Sequence, residues 1–348
     1  MLRCVLLLAL FPSVAFGQEM RSEEQITVER VLVDARVTDY SGDPLRDLMA
    51  GDFEVKIDGK SATIESVEWI PETAGARALA GLDEEDAPSA PPGFGEDVEP
   101  SGRMFIYFVQ TDFTREPVRI GGALNFLSHA DEMIENLEPS DRVAVFSFDS
   151  HLKFWLDFSD NKSAIKYAIR QAQTTEQPGT PRPVPNPSLA RRMNREEMQQ
   201  AASPDHGFIL IANALRPIAG PKSMILFGWG LGVRSGGRVS MHKKYPIARY
   251  ALETARVTVF ALDMTIADYH DLEIGLGKAA ADTGGFYAKT HIFPKSAIER
   301  LQRTLTGHYE LEVRKPKTDK RGTHTIEVRV RKRGALVMAR SSYVDDDE

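Results

Sequence analysis

Three side chains near the middle of the sequence have types suited to acyl transfer: Ser147, Asp149 and His151 alternate along SFDSH. Alternate residues of an extended strand share one face, so a hydroxyl, a carboxylate and an imidazole would stand side by side. A working triad needs the imidazole wedged between the other two, and spacing along one strand does not provide that. Asp149 and His151 are expected in a hairpin turn instead, and a hydrolase acting through Ser147 or an unrecognised carboxylate pair stands only as a second alternative function. The glycines of GWGLGVRSGG follow an apolar run, as a phosphate loop would, yet no Gly-Lys-Ser/Thr ending closes them. Gly275-Leu276-Gly277-Lys278 lies inside a helical pattern, and Asp282-Thr283-Gly284-Gly285 reads as a helix end with a glycine cap. The eight histidines contain no His-Glu-x-x-His pair, so no zinc site is expected. The acids of LDEEDAPSAPPGFGEDVEP lack the spacing of a Ca²⁺ loop. No catalytic residue is assigned, and the chain is read as a non-enzyme.

The elements that would carry these residues follow from periodicity. Residues 26–40 (ITVERVLVDARVTDY) alternate apolar and polar with period two. FEVKI, the turn pair Asp58-Gly59 and residues 63–69 predict a hairpin, making 18–70 a β module. Residues 71–102 have no apolar period and are expected to be a solvated acidic, Pro/Ala-rich linker. From MFIYFV (104–109) onward strands and helices alternate. Helix 118–137 leads to strands RVAVFSF and LKFWLDF, joined tightly through 149–151 and therefore antiparallel. Helix 161–173 precedes an insert at 174–205, proline-rich first and basic later, of the kind that is often functional or disordered. Helix 207–215, strand SMILF, the glycine loop 228–237, helix 245–255, strand VTVFAL, helix 272–283, strand 286–288 and helix 296–305 complete the unit. This alternation implies a doubly wound, mostly parallel sheet. Three runs at 309–314, 324–330 and 335–343 are too polar at alternate positions for that sheet. They are expected to pack with the N-terminal module as one β-sandwich-like unit.

At the N-terminus, Arg3, the apolar run CVLLLALF and Ala15-Phe16-Gly17 have the layout of a secretory signal peptide cleaved before Gln18. An exported protein, periplasmic or secreted, is therefore expected. Cys4, the one cysteine, would leave with that segment, so the remainder could form no disulfide. No later stretch is long and apolar enough for a membrane span. With 43 basic against 50 acidic residues, a net charge of −7 argues against nucleic-acid binding, which wants a basic face. The late basic residues alternate with Val and Ile and are assigned to the wet face of strands.

The order of elements over residues 103–306 resembles a von Willebrand factor A (vWA) domain. The resemblance rests on the buried first strand, the strand pair after Pro139-Ser140-Asp141-Arg142-Val143, and SMILF ending in a glycine loop. The flanks VLVDARVTDYSGDPLRDLMAGDFEVKIDGK and HYELEVRKPKTDKRGTHTIEVRVRK look like the VWFA-related proteins known from acidobacteria. What the resemblance implies is a Rossmann-type α/β fold with sheet order 3-2-1-4-5-6, followed by C-terminal strands at 307–348. Its ligand site would lie at the carboxyl ends of the central strands. Members that bind Mg²⁺ hold it with Asp-x-Ser-x-Ser, a distant Thr and a later Asp.

Here Gln110-Thr111-Asp112-Phe113-Thr114 occupies the first loop, Trp229 stands where the later Asp belongs, and Asp205-His206 where the Thr belongs. Trp cannot ligate Mg²⁺ and Gln is a weaker ligand than Asp. The expectation is a degenerate metal site, with no metal and no cofactor. A rearranged site from Asp112, Thr114, Asp205 and Asp263 is the alternative, and would make the chain a divalent-metal-dependent adhesion or receptor module. The first reading is a metal-independent protein-binding module, its partner-facing loops carrying Gln110, Thr111, Asp112, Phe113, Thr114, Trp229 and Asp263. Phe113, Trp229 and the flexible stretch 232–237 would supply aromatic anchors and adaptable backbone. Against this, Trp229 would pack under its own loop, as large aromatics often do.

Overall fold

The computed structural model describes residues 30–81, 102–111, 130–174, 177–185, 187–267, 269–291, 294–318 and 320–345. The expected signal peptide, the linker from 82 to 101 and most of helix 118–137 lie outside the described residues. Along the chain the strands are β1 (Arg30–Thr38), β2 (Phe53–Ile57), β3 (Lys60–Ser61), β4 (Thr63–Pro71), β5 (Met104–Gln110), β6 (Arg142–Phe148), β7 (Leu152–Ser159) and β8 (Lys222–Gly228). They continue with β9 (Val233–Ser235), β10 (Arg238–Ser240), β11 (Val257–Asp263), β12 (Tyr287–Lys289), β13 (Gly307–Arg314), β14 (Thr323–Val330), β15 (Leu336–Ala339) and β16 (Ser342–Val344).

The chain is mixed α/β, with one mostly parallel sheet and several antiparallel ones. The central sheet runs β12-β11-β8-β5-β6-β7. In order of appearance that is 3-2-1-4-5-6. Every pairing in it is parallel except β6 with β7. β5, β8 and β11 are buried along their whole length, which explains why they are apolar without alternation. Alternate residues serve two cores. Ile106, Phe108, Ala144 and Phe146 meet Phe208, Ile211 and Leu252 on one face. Phe105, Tyr107, Val143 and Val145 meet Ile134, Ile165, Ile169 and Ile298 on the other.

Chain ends build two further four-stranded sheets, β15-β1-β13-β4 and β16-β14-β2-β3. Their inward residues, Val33, Ala35, Phe53, Val55, Ile57, Tyr309, Leu311 and Ile326, share one core.

Three local expectations change. The predicted hairpin partner of β2 is the two-residue β3, turned through Asp58 and Gly59 at φ +48° and +76°, the positive pair that a type I′ turn requires. The longer run 63–71 crosses to the facing sheet instead. There it pairs with β13 and stacks Trp69 edge-on against Tyr309 at 5.0 Å. The run at 335–343 likewise divides into β15 and β16, which belong to different sheets. Finally, the linker expected from residue 71 opens in ordered structure. Thr73 caps helix Ala74–Leu79, and the Ala74 N–H donates to the Glu138 carboxylate at 2.9 Å.

Candidate functional site

The carboxyl ends of β5, β8 and β11 meet at one edge of the sheet, and the side chains there are tied to one another. Gln110 closes β5 and is 2% exposed. Its Nε2 donates to the Gly230 carbonyl at 2.9 Å. Its Oε1 accepts from the backbone N–H groups of Trp229 at 2.8 Å and Gly230 at 3.3 Å. The amide therefore fastens the loop after β8 to the end of β5, satisfying three backbone groups with one neutral side chain. Gly228 is required beneath it, because a Cβ there would lie 2.6 Å from Gln110 Oε1. Thr111 continues the strand with its N–H on the Phe148 carbonyl at 2.8 Å. Asp112, Phe113 and Thr114 lie outside the described residues.

Asp263 closes β11 and is fully buried. Oδ1 accepts from the Thr265 N–H and hydroxyl, both at 2.9 Å; Oδ2 accepts from His270 Nε2 and the Tyr287 hydroxyl, both at 2.7 Å. Burial alone would raise its pKa, but hydrogen bonds from His270, Tyr287 and Thr265 hold it below the ordinary carboxylate value. Glu273 joins the group, receiving Lys289 Nζ at 2.7 Å and the Tyr287 hydroxyl at 3.4 Å. Spacing concealed this assembly: His270, Glu273 and Tyr287 come from a loop, a helix start and another strand, and Asp263 alone was singled out.

Asp205 sits in the first turn of helix Pro204–Leu215, whose cap is Ser203. It is 2% exposed, and its Oδ1 has no hydrogen-bond partner. Burial pushes its pKa up. His206, next along, contacts Lys244 Nζ at 3.1 Å; burial and that ammonium lower its pKa.

Among the described residues, Gln110 and Trp229 do not match the donors that hold Mg²⁺ in metal-binding vWA domains, and Asp112 and Thr114 lie outside those residues. Gln110 Oε1 already accepts two N–H groups, and Trp229 supplies no oxygen at the third position. The Asp263 carboxylate bonds Thr265, His270 and Tyr287, and among the described residues no hydrogen bond links it to Asp205 or Gln110. Nor does the triad assemble. Buried Ser147 Oγ accepts from Trp155 Nε1 at 2.7 Å, Asp149 pairs with Lys153 at 2.6 Å, and His151 Nδ1 lies 3.0 Å from Ser150 Oγ.

Exposed apolar residues stand among charged ones at this edge. Val233, Ile266, Tyr269 and Ile274 are exposed large hydrophobic residues. They flank the junction where the Leu231 N–H donates to the Leu272 carbonyl and Arg234 pairs with Asp271. Val233 lies on a β9–β10 hairpin turned through Gly236-Gly237, both with positive φ, within what the sequence predicts as loop. Gln110 and Asp263 are thus struts of the face, whereas these four residues are its surface. An apolar cluster within residues 264–274 (MTIADYHDLEI) was the available sequence signal.

No protein-family model matches the chain, and no curated protein does. Among solved structures it is similar to a von Willebrand factor type A protein from Catenulispora acidiphila, at 8% identity and TM-score 0.41, over 92% of this chain and 75% of that one. It is similar to the conserved hypothetical protein BatB from Bacteroides thetaiotaomicron at 11% identity and TM-score 0.40, over 58% and 98%. The human COPII-coat protein Sec24c is similar at 9% identity and TM-score 0.39, over 69% of this chain and 43% of Sec24c, so the chain spans less than half of that protein. Values this low assign no family.

Proposed function

We propose that this chain is an exported, non-catalytic protein-binding module of the von Willebrand factor A type, working without a metal ion among the ends of β5 and β8. The observation that carries the reading is the exposure of Val233, Ile266, Tyr269 and Ile274, carried by the segments that follow β8 and β11, whose starts Gln110 and Asp263 hold. Aromatic and aliphatic side chains on a preorganised surface are the chemistry of interface anchors. Gln110 supports metal independence, because its amide takes the bonds that a cation and its carboxylate would otherwise organise. Among the described residues no helix is long and apolar enough to cross a membrane.

The test is affinity capture from envelope extract with the parent chain and with Tyr269→Ser/Ile274→Ser. Both residues are exposed, so the variant is expected to melt within a degree or two of the parent and to lose at least tenfold of its captured partner. Equal capture by the two proteins would remove this face from the reading.

A further inference from the structure

Among the described residues, two groups bring one ligand atom each of a histidine and two carboxylates within 4.8 Å of one another: Asp34, His308 and Glu310, and Asp263, His270 and Glu273. They differ in what already neutralises them. In the first, the Arg256 guanidinium bonds Asp34 at 2.6 Å and Glu310 at 3.0 Å, filling the space between the carboxylates with a fixed cation. In the second, among the described residues, no guanidinium bonds the group, and the Lys289 ammonium pairs with Glu273.

The second group also has the build of a coordination shell. Asp263 comes from a rigid strand end. His270 and Glu273 stand three residues apart in a turn closed by the Glu273 N–H on the His270 carbonyl at 3.1 Å, so their side chains emerge together. Thr265 occupies Oδ1 of Asp263, and Oδ2 accepts both His270 Nε2 and the Tyr287 hydroxyl, so an ion on Oδ2 would displace the imidazole contact while Thr265 and Tyr287 keep the carboxylate oriented. Such outer partners orient first ligands in metal sites. The His270 and Glu273 side chains are each 17% exposed, so a hydrated ion can reach them while Asp263 stays buried.

We propose that Asp263, His270 and Glu273 bind a zinc-type divalent cation, with water as the fourth ligand. One imidazole and two carboxylates suit a borderline ion at about 2.0–2.2 Å better than Mg²⁺ or Ca²⁺, which prefer shells of oxygen only. Ligands of a tetrahedral Zn²⁺ stand roughly 3.4 Å apart. The 2.7 Å His270–Asp263 contact therefore opens slightly, and the proton between them passes to solvent. Glu273 moves off Lys289 toward the ion. The site is separate from the Gln110 and Asp205 positions, and it stands whether or not the neighbouring apolar face binds a partner.

The experiment is zinc titration of the full chain after EDTA treatment and dialysis, by calorimetry and by thermal melt, with Co²⁺ as a spectroscopic probe. One equivalent of Zn²⁺ is expected to bind and raise the melting temperature by several degrees at a hundredfold excess over Kd. Mg²⁺ should give no shift, and Co²⁺ should give the visible bands of a four-coordinate N/O site. His270→Ala is expected to weaken zinc at least tenfold and Glu273→Gln similarly. Lys289→Gln should tighten it several-fold by releasing Glu273, and Asp205→Asn should leave it unchanged. Absence of zinc binding below millimolar concentration overturns the proposal. So does parental affinity in Glu273→Gln, which stays interpretable even if His270→Ala does not fold.

Discussion

Glu253 shows how one buried carboxyl sets a pH dependence. It lies in helix Tyr245–Thr254 at 4% exposure and receives the Ser342 hydroxyl on both oxygens at 2.8 Å. Burial outweighs Ser342, Arg249 and Arg340 and pushes its pKa up to about 7 from 4.5. The native state then holds a proton that the unfolded chain has already released, so stability falls as pH rises from about 4.5 to about 7 and stays reduced above that. Glu253→Gln keeps the shape and removes the titration. At pH 8 it is expected to gain on the order of 3 kcal/mol over the parent, with the difference vanishing near pH 4. Urea denaturation of both proteins across that range checks the sign and the size. Gln110 is the opposite kind of residue. It is neutral at every pH, with both ends of its amide bonded, and it holds a loop where a charged residue would need a counter-ion.

At the scale of elements, the insert at 174–205 gathers its hydrogen bonds on one carboxylate. Asp157 on β7 is buried and accepts from the Ser188 hydroxyl at 2.6 Å, the Leu189 N–H at 2.9 Å and the Ala190 N–H at 3.3 Å. Leu189 and Ala201 then enter the core. The described part of the insert is therefore packed structure, covering the outer strand of the sheet, where free backbone groups would otherwise invite pairing with another chain. Asp157→Ala strips the acceptor from two buried donors, Ser188 and Leu189, each worth about 1–3 kcal/mol when left unsatisfied, and from the part-buried N–H groups of Val184 and Ala190. Limited proteolysis is expected to cut the variant within 177–200 at rates where the parent stays intact, while far-UV circular dichroism is unchanged. Loss of the whole fold in Asp157→Ala would show that the insert cannot be released without unfolding the sheet.

Across the whole molecule, the sandwich and the α/β layers are joined by charge. Arg256 follows helix Tyr245–Thr254 with φ +52°, a left-handed conformation usual for glycine after a helix end. From there its guanidinium bonds Asp34 on β1 and Glu310 on β13. Beside it His308 Nδ1 donates to Glu72 at 2.6 Å, and Glu72 also pairs with Arg36 at 2.8 Å. Burial would raise Asp34, but Arg256 and its neighbours hold it below its ordinary value. Its contribution is thus present above the unfolded pKa and is lost as pH falls through the folded one. Arg256→Met leaves that carboxylate without its cation and is expected to cost about 2 kcal/mol. Hydrogen exchange should then show β1 and β13 opening before β5 and β8, in place of the single cooperative unfolding expected of the parent. Unchanged protection of β1 would mean that apolar packing alone couples the layers.

Sequence by itself determined the central sheet, because strands buried on both faces must be continuously apolar and helices between them must carry a 3.6-residue stripe. MFIYFV, SMILF and VTVFAL could be little else, and the tight join through Asp149-Ser150-His151 already implied that β7 reverses. The Asp58-Gly59 turn was legible for the same local reason. Which strands pair in the sandwich was not, since β4 and β15 alternate well enough to fit either sheet. Their place depends on where Tyr309 and Trp69 meet, a contact between residues 240 positions apart. The functional edge divides in the same way. Sequence placed Gln110, Trp229 and Asp263 at strand ends, but only the tertiary structure turned Gln110 and Asp263 inward and gathered His270, Glu273 and Tyr287 around one carboxylate. Strand and helix signals are written in neighbours a few residues apart; hydrogen-bond partners are chosen by whatever long-range packing brings within 3 Å.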